Sequence, residues 1–395
     1  MPRNLLLLCA VSAFIVDASV FHRSLFAETL TVNPADESAF STIQLAIDQS
    51  SPSDIILVHP GHYSERIDFL GKRIVLQSSN GSDVTTIDGG GSGFVSAVTC
   101  ASGEAEGTRI SGFTITGGTN GGMLVRNGSD VAIENCIFMN NSSPLIGGGL
   151  SVENLGCVVV VNCLFMENEA FNGGGIGFSV SSGDVINCTL VGNTATGNPP
   201  FTGGGMFGLD SRFNLRNCIL FGNHGQEPGQ QAQIDTPNQF FLTTINYCCI
   251  EGWDGSLEGT GNFGADPLFV APPTSDLRLQ QGSPCNDAGD NSSVPVSVNT
   301  DLDGESRFFD DPAALDIGNG ISPLVDMGAY EFQAGLALGD INGDGSVDLF
   351  DIPPFVLVLV GEPQMSQHTD RSDLNDDGVI NGTDIQVMVE ILLGV

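Results

Sequence analysis

Between residues 55 and 250 the chain runs in short stretches of Val, Ile, Leu and Phe that alternate with polar positions and stop at Asn or Gly. A period of two broken at turn residues predicts strands and turns, with few helices. The stretches repeat. NCIFMNN at 135–141, NCLFMEN at 162–168, NCTLVGN at 187–193 and NCILFGN at 217–223 are near-copies, and Cys136, Cys163, Cys188, Cys218 and Cys248 follow one another at spacings of 27, 25, 30 and 30. A second series, GGGL at 147, GGGI at 173 and GGGM at 203, keeps step with the first. Self-similarity at this period predicts a solenoid.

One unit has nothing against which to bury its apolar face. Stacking units about 4.8 Å apart hides the inward Cys, Leu and Phe in one core and pairs each coil's backbone with the next, which is a parallel β-helix. Asn141, Asn168, Asn193 and Asn223 all fall five residues after a repeat cysteine, so their amides are expected to hydrogen-bond up the stack at a left-handed corner. The repeat cysteines are read as a ladder of buried thiols. A bridge between Cys157 and Cys163, or between Cys248 and Cys249, stays open. Upstream, residues 40–48 place Ile43, Ala46 and Ile47 on one helical face, a short helix able to cap the first coil.

IILVHPGHYSERI at 55–67, RIVLQSS at 73–79 and TTIDGG at 85–90 resemble the N-terminal region of pectin-lyase-like β-helix proteins. The resemblance spans roughly residues 29–249 and implies a right-handed, three-sheet solenoid in a fold that includes polysaccharide lyases and hydrolases. From residue 266 the repeat gives way to DPLFV, DLRLQQGSPCNDAGD at 276–290, TDLDGESR at 300–307 and DMGAYE at 326–331. These pieces resemble the closing segment of bacterial surface proteins called a choice-of-anchor domain, expected here to cap the last coil. Within it, Asn299-Thr300-Asp301 matches a tripeptide of polygalacturonases but reads as a turn.

At Asp340 the chain reads DINGDGSVDLFD, and 33 residues later, at Asp373, DLNDDGVINGTD. Oxygen ligands at positions 1, 3, 5 and 9, a carbonyl at 7, a glycine at 6 and a carboxylate at 12 meet the demands of a hard cation with about seven oxygen ligands. The first loop offers Asp340, Asn342, Asp344, Ser346 through its carbonyl, Asp348 and Asp351. The second offers Asp373, Asn375, Asp377, Val379 through its carbonyl, Asn381 and Asp384. Two Ca2+ ions are predicted, and an apolar helical run follows each loop, with Ile385, Met388 and Leu392 on one face of the second. Asp at position 12 and the repeated loop-helix resemble type I dockerins, which implies a cohesin-like partner. Pro353 and Pro354 depart from that family but suit a helix's first turn.

Charge narrows the partners. Twelve Lys+Arg against 47 Asp+Glu leave a formal net charge of −35, which repels phosphate backbones and makes nucleic acid and anionic membranes poor partners, so no nucleic-acid partner is expected. Arg3 before an apolar run at 5–16, with Ala18 and Ala27 as cleavage points, reads as a secretory signal peptide ending between 18 and 27. No later stretch approaches the ~20 apolar residues of a membrane span. The layout is then a signal peptide at 1–27, a β-helix with its helical cap at 28–265, a closing segment at 266–335 and a dockerin-like domain at 336–395.

Removing Cys9 leaves nine cysteines, an odd number that argues against a complete disulfide framework. Between residues 100 and 223 the solenoid offers few bases, Arg109, Arg126, Arg212 and Arg216, and Glu134, Glu153, Glu167, Asp184 and Asp210 occupy no repeat-matched acidic position. A catalytic set is therefore not assigned. The sequence supports a secreted or cell-surface calcium-binding β-helix that binds polysaccharide or serves its breakdown and docks through its tail. A lyase or glycosidase acting on O-glycosyl bonds, and a structural adhesin or surface-layer component, are the alternatives.

Overall fold

The computed structural model of the protein describes residues 27–198, 203–237, 243–272, 276–311, 314–333, 339, 341, 347, 349–361, 372–375 and 379–393. The predicted signal peptide and six of the twelve loop ligands, Asp340, Asn342, Asp344, Ser346, Asp348 and Asp377, lie outside them.

The repeat folds as a parallel β-solenoid of three long sheets with nine, eight and seven strands. Each coil contributes one strand to each sheet. In one coil, Asp130–Glu134 enters the first sheet, Ile137–Met139 the second and Leu150–Glu153 the third, and Cys157–Val161 begins the next coil directly over Asp130–Glu134. Every pairing within these sheets is parallel, and equivalent repeat positions fall in register: Phe165 over Phe138, Leu190 over Phe165. The Phe138 and Phe165 rings stack with centroids 4.7 Å apart and planes 2° off parallel. The inward alternate residues form one continuous core from Leu30 to Ile250.

Of the two corner expectations, the amide ladder is met and the left-handed backbone is displaced. The amide ladder is complete: Asn141 Nδ2 donates to Asn168 Oδ1 at 3.0 Å, Asn168 to Asn193 and Asn193 to Asn223 at 2.9 Å each, and Asn223 to Gln233 Oε1 at 2.7 Å. The left-handed backbone, however, falls one residue earlier, at Asn140, Glu167, Gly192 and Gly222. A second left-handed corner is taken by Asn135, Asn162, Asn187 and Asn217, the asparagines just before the repeat cysteines. A short polar side chain tolerates that conformation. The cysteines stack as thiols, the Sγ of Cys163 accepting the N–H of Cys136 at 3.4 Å and that of Cys188 the N–H of Cys163 at 3.4 Å. All nine described cysteines are free, including Cys157, Cys248 and Cys249.

The helix Ile43–Gln49 buries Ile43, Ala46 and Ile47 over the first coil, with Thr42 as N-cap. At the far end, Trp253 and Leu257 pack on the core, in a chain segment tied back to the last coil by Ile250 N–H to Phe263 O at 2.8 Å. The closing segment, expected to cap that end, instead lies along the solenoid's flank. Phe269, Leu277, Leu279 and Met327 bury against Leu164, Met166, Ile219 and Cys249, outward residues of the second sheet. Polar ties reach across successive coils: Asn162 Nδ2 to Thr300 O at 2.7 Å, Ala329 N–H to Thr189 Oγ1 at 2.9 Å, and Asp290 N–H to Asn217 Oδ1 at 2.7 Å. The reason is chemical, since the second sheet presents Leu, Ile and Met outward where a solvated face would be polar.

Candidate calcium loops and the charged face of the solenoid

The C-terminal unit builds its own small core from Ile341, Phe355, Leu374 and Met388. Two helices frame it, Ile352–Leu359, with Pro353 and Pro354 in its first turn, and Gly382–Leu393. The position-12 acids, Asp351 and Asp384, are fully buried. Each is held by the backbone at position 2 of its own loop: Asp351 Oδ1 accepts the N–H of Ile341 at 2.7 Å, and Asp384 Oδ1 accepts that of Leu374 at 2.9 Å. Asp384 Oδ2 accepts the N–H of Asn381 at 2.8 Å. Asn381 Oδ1 caps the second helix through the Thr383 N–H at 2.9 Å, and its Nδ2 donates to Val379 O, the position-7 carbonyl, at 2.9 Å.

This donor set fits calcium. The second loop folds so that Asp373, Asn375, Val379, Asn381 and Asp384 all belong to one turn-and-helix unit, and every ligand atom offered is an oxygen. Residues 336–395 hold eleven Asp+Glu against one Arg, Arg371, one His, His368, and no Lys. A buried carboxylate needs a compensating positive charge or donors; backbone N–H groups supply donors here, and a bound cation would supply charge that the unit's side chains hold sparsely. The apolar face of the second helix differs from expectation: Met388 is buried and Leu392 packs on the core, but Ile385 points to solvent together with Val389 and Leu393. Val356 and Leu357 of the first helix and Val360 at its C-cap are exposed as well.

The five solenoid acids singled out in the sequence are spread over different faces and corners. Glu134 and Asp184 lie on the outward face of the first sheet, Glu153 ends a third-sheet strand, Asp210 occupies the turn after another, and Glu167 sits at the corner after the second sheet. The outward face of the first sheet carries the charge. Its in-register rows run Asp130, Cys157, Ser182, Arg212 and then Arg109, Ala132, Val159, Asp184, Asn214, Thr244. Along the second row Thr244 Oγ1 donates to Asn214 Oδ1 at 2.6 Å and Asn214 Nδ2 to Asp184 Oδ1 at 2.6 Å, with Arg216 Nη2 3.6 Å from the same oxygen. Arg109 pairs with Glu134 at 3.3 Å. A third row, Glu134, Val161, Ile186 and Arg216, runs beside the flank segment, and its Val161 and Ile186 are buried.

The closing segment holds a feature that the repeat-based reading passed over. Its two arginines are outnumbered by twelve Asp+Glu over residues 266–333. Arg307 is wholly buried, donates from Nη2 to the carbonyls of Asp326 at 3.0 Å and Gly328 at 2.6 Å, and lies 3.6 Å from Glu331. Asp301, the tripeptide's acid, is a buried turn residue accepting the N–H groups of Glu305 at 2.9 Å and Glu331 at 2.8 Å. Burial pushes Asp326 up to about 7, and burial with the neighbouring charge of Asp326 lifts Glu331 well above the usual carboxylate range. The DxDG spacing signalled turns; only the buried Arg could have signalled the network.

Comparison with known proteins locates two segments. Residues 74–226 match the family described as right handed beta helix region, and residues 338–393 match the dockerin type I domain. Among solved structures the chain is similar to a pectin methylesterase from carrot, at 16% identity over 60% of this chain and 82% of that one, with a TM-score of 0.37. It is similar to the pectin methylesterase PemA from Erwinia chrysanthemi at 13% identity over 57% and 78%, TM-score 0.36, and to the pectate lyase Pel9A at 12% identity over 77% and 96%, TM-score 0.39. No curated protein matches the chain. Among the described residues, no helix is long and apolar enough to cross a membrane.

Proposed function

We propose that this right-handed β-helix protein is a secreted, calcium-dependent docking protein: the dockerin domain tethers it to a cohesin-type partner, and the solenoid binds polysaccharide along the outward face of its first sheet. The observation that carries the reading is the pairing, in one small unit, of a calcium-type loop with exposed apolar residues on both helices, Val356, Leu357 and the C-cap Val360 on one and Ile385, Val389 and Leu393 on the other. Calcium at Asp340, Asn342, Asp344, Ser346, Asp348 and Asp351, and at Asp373, Asn375, Asp377, Val379, Asn381 and Asp384, would fix the helices so that these side chains form one surface. Calcium supplies the folding energy of such a module.

Ser182 with Asp184, Arg212 with Asn214, and Thr244 follow one another at one coil's spacing, and they suit a ligand with repeating hydroxyls because these three successive coils offer donors and acceptors in the same orientation. Asp184 and Glu134 are each engaged by neighbouring Asn or Arg side chains, which favours binding over acid or base work on this face. The test uses the full chain. It is passed over immobilised cohesin with calcium or with chelator, and separately run through gels containing plant and algal polysaccharides while released sugar is assayed. Calcium-dependent capture and retardation without product are expected. Capture that ignores chelation, or release of sugar, overturns the corresponding half.

A further inference from the structure

We infer that the closing segment carries a divalent-cation site of its own, formed by Asp287, Asp310 and Asp316 and suited to calcium. One carboxylate oxygen of each lies within 4.8 Å of the others. Asp287 is fully buried, yet its Oδ1 has no hydrogen-bond partner, while its Oδ2 accepts the Asp311 N–H at 3.2 Å. An ionised carboxylate oxygen left bare in the interior is costly. The backbone holds it there: Asp287 has a left-handed φ of 49°, its N–H is bound by Asp326 Oδ1 at 2.7 Å, and its carbonyl accepts from Ile317 and Gly318 at 3.2 and 3.0 Å. Asp310 is positioned by Ser322 Oγ, which donates to its Oδ1 at 2.6 Å.

The segment's own cations are committed elsewhere. Arg307 serves Glu331 and two carbonyls, and Arg278 sits 2.7 Å from Asp303 and 3.8 Å from Asp276. The charges acting on Asp287 are those of Asp310, Asp316 and Asp311, all of its own sign. Three carboxylates, two of them exposed, leave room for water in the shell, an arrangement that calcium's loose geometry accepts more readily than magnesium's rigid octahedron. The ion would join the chain on either side of residues 310–316 to Asp287, three residues before Asp290 grips Asn217 of the solenoid. It would thus lock the flank segment in place.

The test compares the full chain with Asp310→Asn/Asp316→Asn, both exposed positions whose change spares the core. Calcium bound per chain at saturation should fall by one ion. In a background with the loops disabled by Asp351→Asn and Asp384→Asn, millimolar calcium should raise the melting midpoint followed by Trp253 fluorescence, and the added pair should abolish that rise. If the cluster holds no ion, removing two like charges stabilises the chain equally with and without calcium and the bound count is unchanged. That result overturns the site without touching the docking proposal.

Discussion

Asp384 and Leu374 stand ten residues apart, and the buried carboxylate of the first accepts the backbone N–H of the second at 2.9 Å; Asp351 repeats the relationship with Ile341 at 2.7 Å. The last acid of each loop thereby closes the loop onto its start and anchors the following helix. Asp384→Ala removes the acceptor of three backbone donors, the N–H groups of Leu374, Asn375 and Asn381, and a ligand from the proposed ion, a loss of roughly 1–3 kcal/mol before any metal contribution. Calorimetry should show the C-terminal transition lowered and its calcium response lost. Trp253, the only tryptophan, packs against the solenoid core, so its fluorescence melt should stay where it was.

The amide ladder should matter more than the thiol ladder beside it. Asn193 Nδ2 donates to Asn223 Oδ1 and to the carbonyl of Phe165, and its Oδ1 accepts from Asn168 Nδ2 and from the Asn168 N–H. Asn193→Ala strands these buried groups, at about 1–3 kcal/mol each for those that water does not reach. Cys188→Ala removes one sulfur from the core and its weak acceptance of the Cys163 N–H, about 1 kcal/mol on the scale of a small core truncation. Urea unfolding followed at Trp253 should rank them in that order. Equal losses would contradict the ladder's primacy.

How much of this was legible follows from what repeats. The cysteine and asparagine spacings carried the solenoid, the buried thiols and the side-chain ladder, because a coil that stacks on itself writes its core in register. The cap helix was legible from Ile43, Ala46 and Ile47 for the same reason of period. The flank packing was not. Leu164, Met166 and Ile219 look like ordinary strand apolars until the corner at Asn162 fixes which way they point, and only Phe269 and Met327, far later in the chain, cover these outward-facing side chains. Ile385 misled for the opposite reason: its helical spacing suits a core face, but Asp384 turns inward to the loop and carries the neighbouring position outward.

Acidity should favour the closing segment. Glu331 is buried and faces Asp326, Asp301 and Arg307; desolvation and the two acids outweigh the guanidinium, so its folded pKa lies above the unfolded value. A raised carboxyl pKa means that the folded state binds the proton more tightly. The stabilisation is complete below the ordinary glutamate range and is lost as pH rises through the raised value. Urea midpoints should therefore fall with rising pH in calcium-free buffer, and Glu331→Gln, which keeps the shape without the charge, should flatten that dependence. A midpoint that climbs with pH would contradict this.

The exposed helix residues give the docking proposal its sharpest test. Ile385 and Val389 lie four residues apart on the helix Gly382–Leu393, one turn above the other, and both are about half exposed at 46% and 47%. Neither belongs to the small core of Ile341, Phe355, Leu374 and Met388. A charge at an apolar contact must be desolvated when a partner covers it, whereas on a free surface it stays hydrated. Ile385→Asp and Val389→Asp should thus leave calcium binding and both melting transitions within about 0.5 kcal/mol of the parent, while capture on immobilised cohesin weakens at least tenfold. Ser substitutions at the same positions, uncharged and smaller, should lose less. Unimpaired capture by both Asp variants would mean that the partner meets some other face of the unit.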